Sequence, residues 1–90
     1  PELSTNYRVT KMWKCESCKL DLTADKGYLH VHHKNGIKSD NNFSNLKAVC
    51  LGCHAEEAGH QRMKFTQSYI QFMMKYKNPW ENLRRNATRQ

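Results

Sequence analysis

Four cysteines and a small set of histidines are the groups in this chain whose types and spacing could do chemistry. Cys15 and Cys18 form one pair and Cys50 and Cys53 another, each separated by two residues. In that spacing two backbone knuckles each present two thiolates to a tetrahedral zinc ion, at about 2.3 Å from the metal. Two structural disulfides and a redox-active pair are the competing uses of the same residues. No secretory signal supplies an oxidising context for disulfides, although the chain begins at Pro1 and an upstream segment could have been removed. Two pairs favour a metal over a single thioredoxin-like motif. A zinc ion closed in by four sulfurs has no open coordination position, so it is expected to hold the fold and do no chemistry.

A second group remains once the cysteines are assigned: the adjacent His32 and His33, then Asn45, then His54 directly after the last cysteine. Adjacent histidines alone more often mark a surface than a reactive centre. Phosphodiester cleavage gives the combination a reason. It needs a base to deprotonate water, a divalent cation to stabilise charge on the phosphoryl group and the departing oxygen, and something to hold the base in position.

These groups must be positioned by a small scaffold. Ninety residues make one domain, spanning 1–90, and at 38% hydrophobic content its core is modest, so a further source of stability is expected. Tyr28 to His33 reads as a strand, with Leu29, Val31 and His33 on one face and Tyr28, His30 and His32 on the other. Asn35-Gly36 ends it, and the polar run from Lys38 to Asn45 is loop-like with Phe43 as its apolar anchor. Leu46 to Cys50 is a short second strand, antiparallel to the first.

From Cys53 or His54 to Ala58 the pattern is helical, with Glu56 and Glu57 suited to a first turn and Gly59 weakening continuity. Phe65, Tyr69, Phe72, Met73 and Tyr76 form the apolar stripe of a stronger helix, capped by Thr66 or a neighbour. Asn78-Pro79 ends that helix and Pro79 to Arg85 is a further short one. Residues 1 to 14 show no clear period, and Trp13 is placed to cover one side of the zinc cluster. There is no internal repeat and no membrane-spanning apolar run.

Charge points to the partner. Fifteen Lys and Arg against eight Asp and Glu give a formal net charge of +7. Most of the excess lies in residues 61 to 90, where Arg62, Lys64, Lys75, Lys77, Arg84, Arg85 and Arg89 face only Glu81. Such a segment is an electrostatic footprint for a polyanion, although a basic surface with no specific partner has the same composition.

In CESC at 15 to 18, LHVHHKNG at 29 to 36 and NNFSNLKAVCLGCH at 41 to 54, in that order, the sequence resembles the HNH endonucleases. The resemblance covers about 40 residues. It implies an α+β class: a small ββα-metal (His-Me finger) domain with a structural zinc site of four cysteines, a motif core at 15–60 and additional C-terminal helices in a basic extension at 61–90. The function it implies is metal-dependent hydrolysis of DNA phosphodiester bonds to 5′-phosphate and 3′-hydroxyl ends, as a nick or a double-strand break.

Residue by residue, the resemblance makes His33 the general base. It makes His32 a catalytic-metal ligand at a place where the family usually has aspartate, and His54 the second metal ligand. Asn45 becomes the middle asparagine that ties the loop together and helps orient the base. Imidazole in place of a hard carboxylate shifts the expected cation from magnesium toward manganese, cobalt, nickel or zinc. His54 beside Cys53 could instead be an alternative zinc ligand.

His30 is expected as a same-face neighbour of His32 giving an outer hydrogen bond, and His60 as a surface group. Glu56 and Glu57 are close enough to His54 to tune the site or to coordinate through water, or are helix residues with no such role. Lys34, Arg62, Lys64, Arg84, Arg85 and Arg89 are the expected phosphate contacts. DNA is the expected partner, with a homodimer as an option for cutting both strands, no membrane association, and a cytoplasmic setting in a bacterium or phage. A silent zinc-ribbon module that binds nucleic acid is the alternative function. It explains the cysteines and the basic tail but leaves His32, His33 and His54 without a reason.

Overall fold

Two five-residue strands carry Cys50 and three of the histidines. In the computed structural model, which describes residues 2–88, β1 (Leu29–His33) pairs antiparallel with β2 (Leu46–Cys50), setting Leu29 opposite Cys50 and His33 opposite Leu46. Tyr28, expected from the sequence as the first residue of the strand, lies instead in a 3-10 turn at Lys26–Tyr28. Four of the five residues of β2 are buried, whereas β1 buries only Leu29 and leaves His30 to His33 half-buried. One hairpin thus has a packed strand and a partly open one, and the open one holds the histidines.

The first cysteine knuckle runs along the outer edge of β2. Glu16 N–H donates to the Ala48 carbonyl at 2.8 Å, and Ala48 N–H donates back to a Glu16 carboxylate oxygen at 2.7 Å. The side chain of Glu16 therefore completes a rung that a third strand would otherwise make. The Tyr7 hydroxyl lies 2.5 Å from the same Glu16 oxygen and 2.9 Å from the Leu46 carbonyl.

Tyr7 belongs to α1 (Glu2–Thr10), a helix in a region where the sequence shows no period. The reason is visible in its anchors. Tyr7 is buried, and Arg8 reaches across to donate to the Leu29 carbonyl at 3.1 Å. A helix docked by two polar tips has no apolar stripe to betray it.

Trp13, expected to cover one side of the cysteine cluster, packs against the core that contains the four cysteines. It is half-buried, with the Arg8 guanidinium 5.5 Å and the Lys26 ammonium 5.1 Å from its ring centroid. Trp80 touches the cluster directly, its indole N–H donating to Cys53 Sγ at 3.4 Å. The approach is close enough that a Cβ at Gly52 would fall 2.5 Å from the Trp80 ring, so position 52 has no room for a side chain.

Trp80 is delivered by α3 (Gln67–Thr88), one continuous helix in which Pro79 is interior. The expected helix end at Asn78-Pro79 is therefore absent. An interior proline costs about 3 kcal/mol, but Phe72, Tyr76 and Trp80 lie on one stripe that crosses it. Phe72 and Trp80 are both buried, and Tyr76 stacks on Phe72 with centroids 5.5 Å apart. Each large apolar side chain buried contributes about 1.5–3 kcal/mol, enough to hold both halves of the helix in line. Lys75 and the Tyr76 hydroxyl also bind Asp25, the former at 2.7 Å. Thr66 Oγ1 accepts from Tyr69 N–H at 3.2 Å and caps the helix start. Phe65, counted in the stripe from sequence, is 87% exposed and lies outside it.

The second knuckle is itself the start of α2 (Leu51–Ala55), where Cys50 is the N-cap and its sulfur accepts from Cys53 N–H at 3.4 Å. Glu56 and Glu57 therefore follow this short helix instead of opening it. No helix among the described residues is long and apolar enough to cross a membrane.

Candidate metal centres

Cys15, Cys18, Cys50 and Cys53 are free thiols that converge from the two knuckles, all four sulfurs lying within 4.8 Å of one another. Cys18 and Cys50 sulfurs are 3.8 Å apart. A tetrahedron with bonds of 2.3 Å has edges of about 3.8 Å, whereas a disulfide needs about 2.05 Å. Backbone N–H groups of Cys18 and Cys53 each donate to the first sulfur of their own knuckle at 3.4 Å. The cluster is buried and suits a structural zinc ion.

The second cluster is made of imidazoles. Strand alternation puts His30 and His32 on one face of β1, and α2 lays His54 beside them, with ring centroids 5.2 Å from His30 and 5.5 Å from His32. His60 closes the group at 5.3 Å from His32 and 4.8 Å from His54. One ring nitrogen from each of His32, His54 and His60 lies within 4.8 Å of the others. Three nitrogens bound at 2.0–2.1 Å would stand about 3.4 Å apart, so a small inward movement of the rings completes a three-nitrogen site.

His60, expected from sequence as a surface group, is thus half-buried in the cluster. Gly59 puts it there. The turn after α2 closes with His60 N–H donating to the Glu57 carbonyl at 3.0 Å, and Gly59 adopts φ +81°, a conformation that costs a side-chain-bearing residue. The sequence signal is a third histidine six residues after His54, just past a glycine whose composition alone says only that a helix weakens.

An outer hydrogen bond fixes the inward nitrogen of His60, and a second contact constrains that of His54. His60 Nδ1 is 3.1 Å from the Ala58 carbonyl, so it carries the proton and leaves Nε2 as the free donor atom. His54 Nδ1 is 3.0 Å from His30 Nδ1, so the Nε2 of His54 is a free donor atom when the shared proton sits on His54 Nδ1. Burial, then the neighbouring His30, His60 and His32, pushes the pKa of His54 down to about 4. Burial, then Arg8, pushes His30 down as well. Both rings are therefore neutral at pH 7, the state that binds metal.

His33 is on the opposite face of β1 from His32, at the strand end, with Nε2 3.0 Å from Asn41 Oδ1. Asn45 bonds three other residues of the loop. Its Oδ1 accepts from Asn35 N–H at 3.1 Å, its Nδ2 donates to the Asp40 carbonyl at 2.9 Å, and its own carbonyl accepts from Lys34 N–H at 2.8 Å. The hydrogen bond to His33 comes from Asn41, which nothing in the sequence singles out.

Glu57 lines a shallow cavity with Ser17, Cys53, Glu56 and Arg84, and it reaches the histidine turn through its backbone. Lys34 is exposed and bonds the Ser44 carbonyl at 3.2 Å, and Arg62 is exposed in the 3-10 turn at Gln61–Phe65. Lys64 pairs with Glu56 at 3.1 Å, Arg84 lies 4.7 Å over the Trp80 ring, and Arg85 bonds Asn82 at 2.5 Å. Arg89 lies outside the described residues.

Comparison with known proteins finds two curated relatives. The Zorya protein ZorE of Escherichia coli is 34% identical over 77 residues, covering 86% of this chain and 21% of the relative. The H-N-H endonuclease F-TflIV of Escherichia phage T5 is 41% identical over 51 residues, covering 56% of this chain and 22% of the relative. The chain therefore spans about a fifth of the length of each. No family model and no solved structure matches it.

Proposed function

We propose that this chain, which has the ββα-metal or His-Me finger fold of the HNH endonucleases together with a four-cysteine cluster, is a metal-dependent endonuclease domain that hydrolyses the DNA backbone. The observation that carries the reading is the convergence of His32, His54 and His60 from three separate pieces of chain at the end of the strand that also bears His33.

In this reading His32, His54 and His60 hold the catalytic cation. When bound, it stabilises charge on the phosphoryl group and on the departing 3′ oxygen. His33, on the other side of the strand end, takes a proton from the attacking water. Departure of the 3′ oxygen leaves a 5′ phosphate and a 3′ hydroxyl. Three imidazoles without a carboxylate favour manganese, cobalt, nickel or zinc over magnesium, which prefers oxygen ligands. Zinc in the four-cysteine cluster holds the two knuckles, and with them the ends of β2 and α2.

The whole chain acts as one domain, its motif core at 15–60 and its basic extension at 61–90. Lys34, Arg62 and the exposed cations of the extension contact phosphates and position the enzyme without reading sequence. One such centre cuts one strand, so a double-strand break requires a homodimer or two visits. The relatives come from E. coli and one of its phages, which favours a bacterial or phage setting in the cytoplasm.

The test is cleavage of supercoiled plasmid by zinc-loaded chain with magnesium, manganese, cobalt or nickel. Cleavage should require an added cation, leave 5′-phosphate ends, and fall about a hundredfold or more in His54→Ala and His60→Ala proteins. A chain that binds DNA and cuts with none of these cations would be the silent zinc-ribbon module instead.

A further inference from the structure

We propose that Asn41 is the positioning residue for His33, a role the middle asparagine, Asn45, does not fill in this chain. The inference rests on the reading of His33 as the base. Every polar group of Asn45 is engaged elsewhere: its side chain by Asn35 and Asp40, its carbonyl by Lys34 and its N–H by the Asn42 carbonyl at 2.8 Å. His33 Nε2 meets Asn41 Oδ1 at 3.0 Å.

The loop is built to hold Asn41 from both sides. Asp40 before it receives Asn45 Nδ2 on its carbonyl at 2.9 Å and Asn35 Nδ2 on its carboxylate at 3.0 Å. Asn42 after it donates from its backbone and its amide to the other Asp40 carboxylate oxygen, at 3.3 Å and 3.0 Å. Asn45 thus acts on the base at one remove, by fixing the two neighbours of the residue that touches it.

An amide oxygen can only accept, so His33 must carry its proton on Nε2 and keep the Nδ1 lone pair for water. Without the acceptor the ring is free to rotate and to exchange tautomers. Misplacing a reacting atom by an ångström lowers a rate on the order of a hundredfold.

The experiment uses the zinc-loaded 90-residue chain labelled with nitrogen-15 in its histidines, at about pH 8. Wild-type His33 should show the Nε2–H pattern. Asn41→Leu, similar in shape but without the acceptor, should give a tautomer mixture and lower kcat for plasmid cleavage by about ten- to a hundredfold with KM unchanged. Asn41→Asp, an acceptor only, should restore both. A wild-type His33 protonated on Nδ1, or an Nε2–H pattern untouched by Asn41→Leu, would overturn the proposal. If the tautomer follows position 41 while the wild type cuts no DNA, the positioning stands and the nuclease reading fails.

Discussion

The Nδ1 atoms of His30 and His54 lie 3.0 Å apart, so one proton is shared between two ring nitrogens. For His54 to offer Nε2 to a cation it must carry that proton on Nδ1 and donate it to His30. Outer partners of metal-bound histidines are commonly worth about ten- to a hundredfold in affinity. His30→Phe should therefore weaken manganese or cobalt binding by about that factor in calorimetry of the zinc-loaded chain. Unchanged affinity would reduce the contact to packing.

The four-cysteine cluster ties the first knuckle to the end of β2 and the start of α2. Cys50→Ser should release the zinc and abolish cooperative thermal unfolding, because the knuckles, the end of β2 and the Trp80 indole all meet there. Trp80→Phe keeps an aromatic ring and removes the N–H to sulfur bond, so it should retain zinc with a stability decrease of about 1 kcal/mol. A Cys50→Ser protein that melts like the wild type would contradict a structural metal.

With the histidine site free of cation, stability should fall with acid. His54 drops from an ordinary 6.5 to about 4 in the fold, burial being the main cause. The unfolded chain thus takes up the proton first. The contribution is fully present above pH 6.5 and is lost as pH falls through about 4. Urea titrations of wild type and His54→Asn across that window should converge at the acid end. Parallel curves would remove His54 from the acid response.

Much of this is legible in residue types. Period-two alternation locates β1 and β2 to within a residue, and the second cysteine pair marks the end of β2, because both signals are local. What escapes depends on pairings distant in sequence. Helix α1 is docked by Tyr7 and Arg8 and has no apolar face to read. Trp80 reaches the cluster because α3 runs unbroken through Pro79, and only the burial of Phe72 and Trp80 on either side explains why it can. His60 is hidden because a glycine after a helix signals a break, and the direction in which the chain leaves that break is not written in the glycine. Asn41 is one asparagine among several in a polar loop, and only the loop's hydrogen bonds single it out.

Phosphate binding should be sought at exposed cations that are not paired with a carboxylate or an aromatic ring, and Lys34 qualifies because its ammonium bonds the neutral Ser44 carbonyl. Lys64 has Glu56 and Arg84 has the Trp80 ring, whereas Lys34 and Arg62 are exposed. Replacing Lys34 and Arg62 with Gln should weaken binding to all DNA sequences alike and lower the salt slope by roughly one unit for each phosphate no longer neutralised. An unchanged slope would assign these charges to solubility.

In the proposed reaction His33 activates water beside a cation held by His32, His54 and His60. Single-turnover cleavage of a labelled duplex by wild type and His33→Ala, with zinc content and DNA binding measured on the same preparations, tests it most directly. His33→Ala should keep its zinc, its fold and its DNA affinity while its cleavage rate falls by about two to four orders of magnitude, the usual worth of a general base. Equal rates for the two proteins would contradict it.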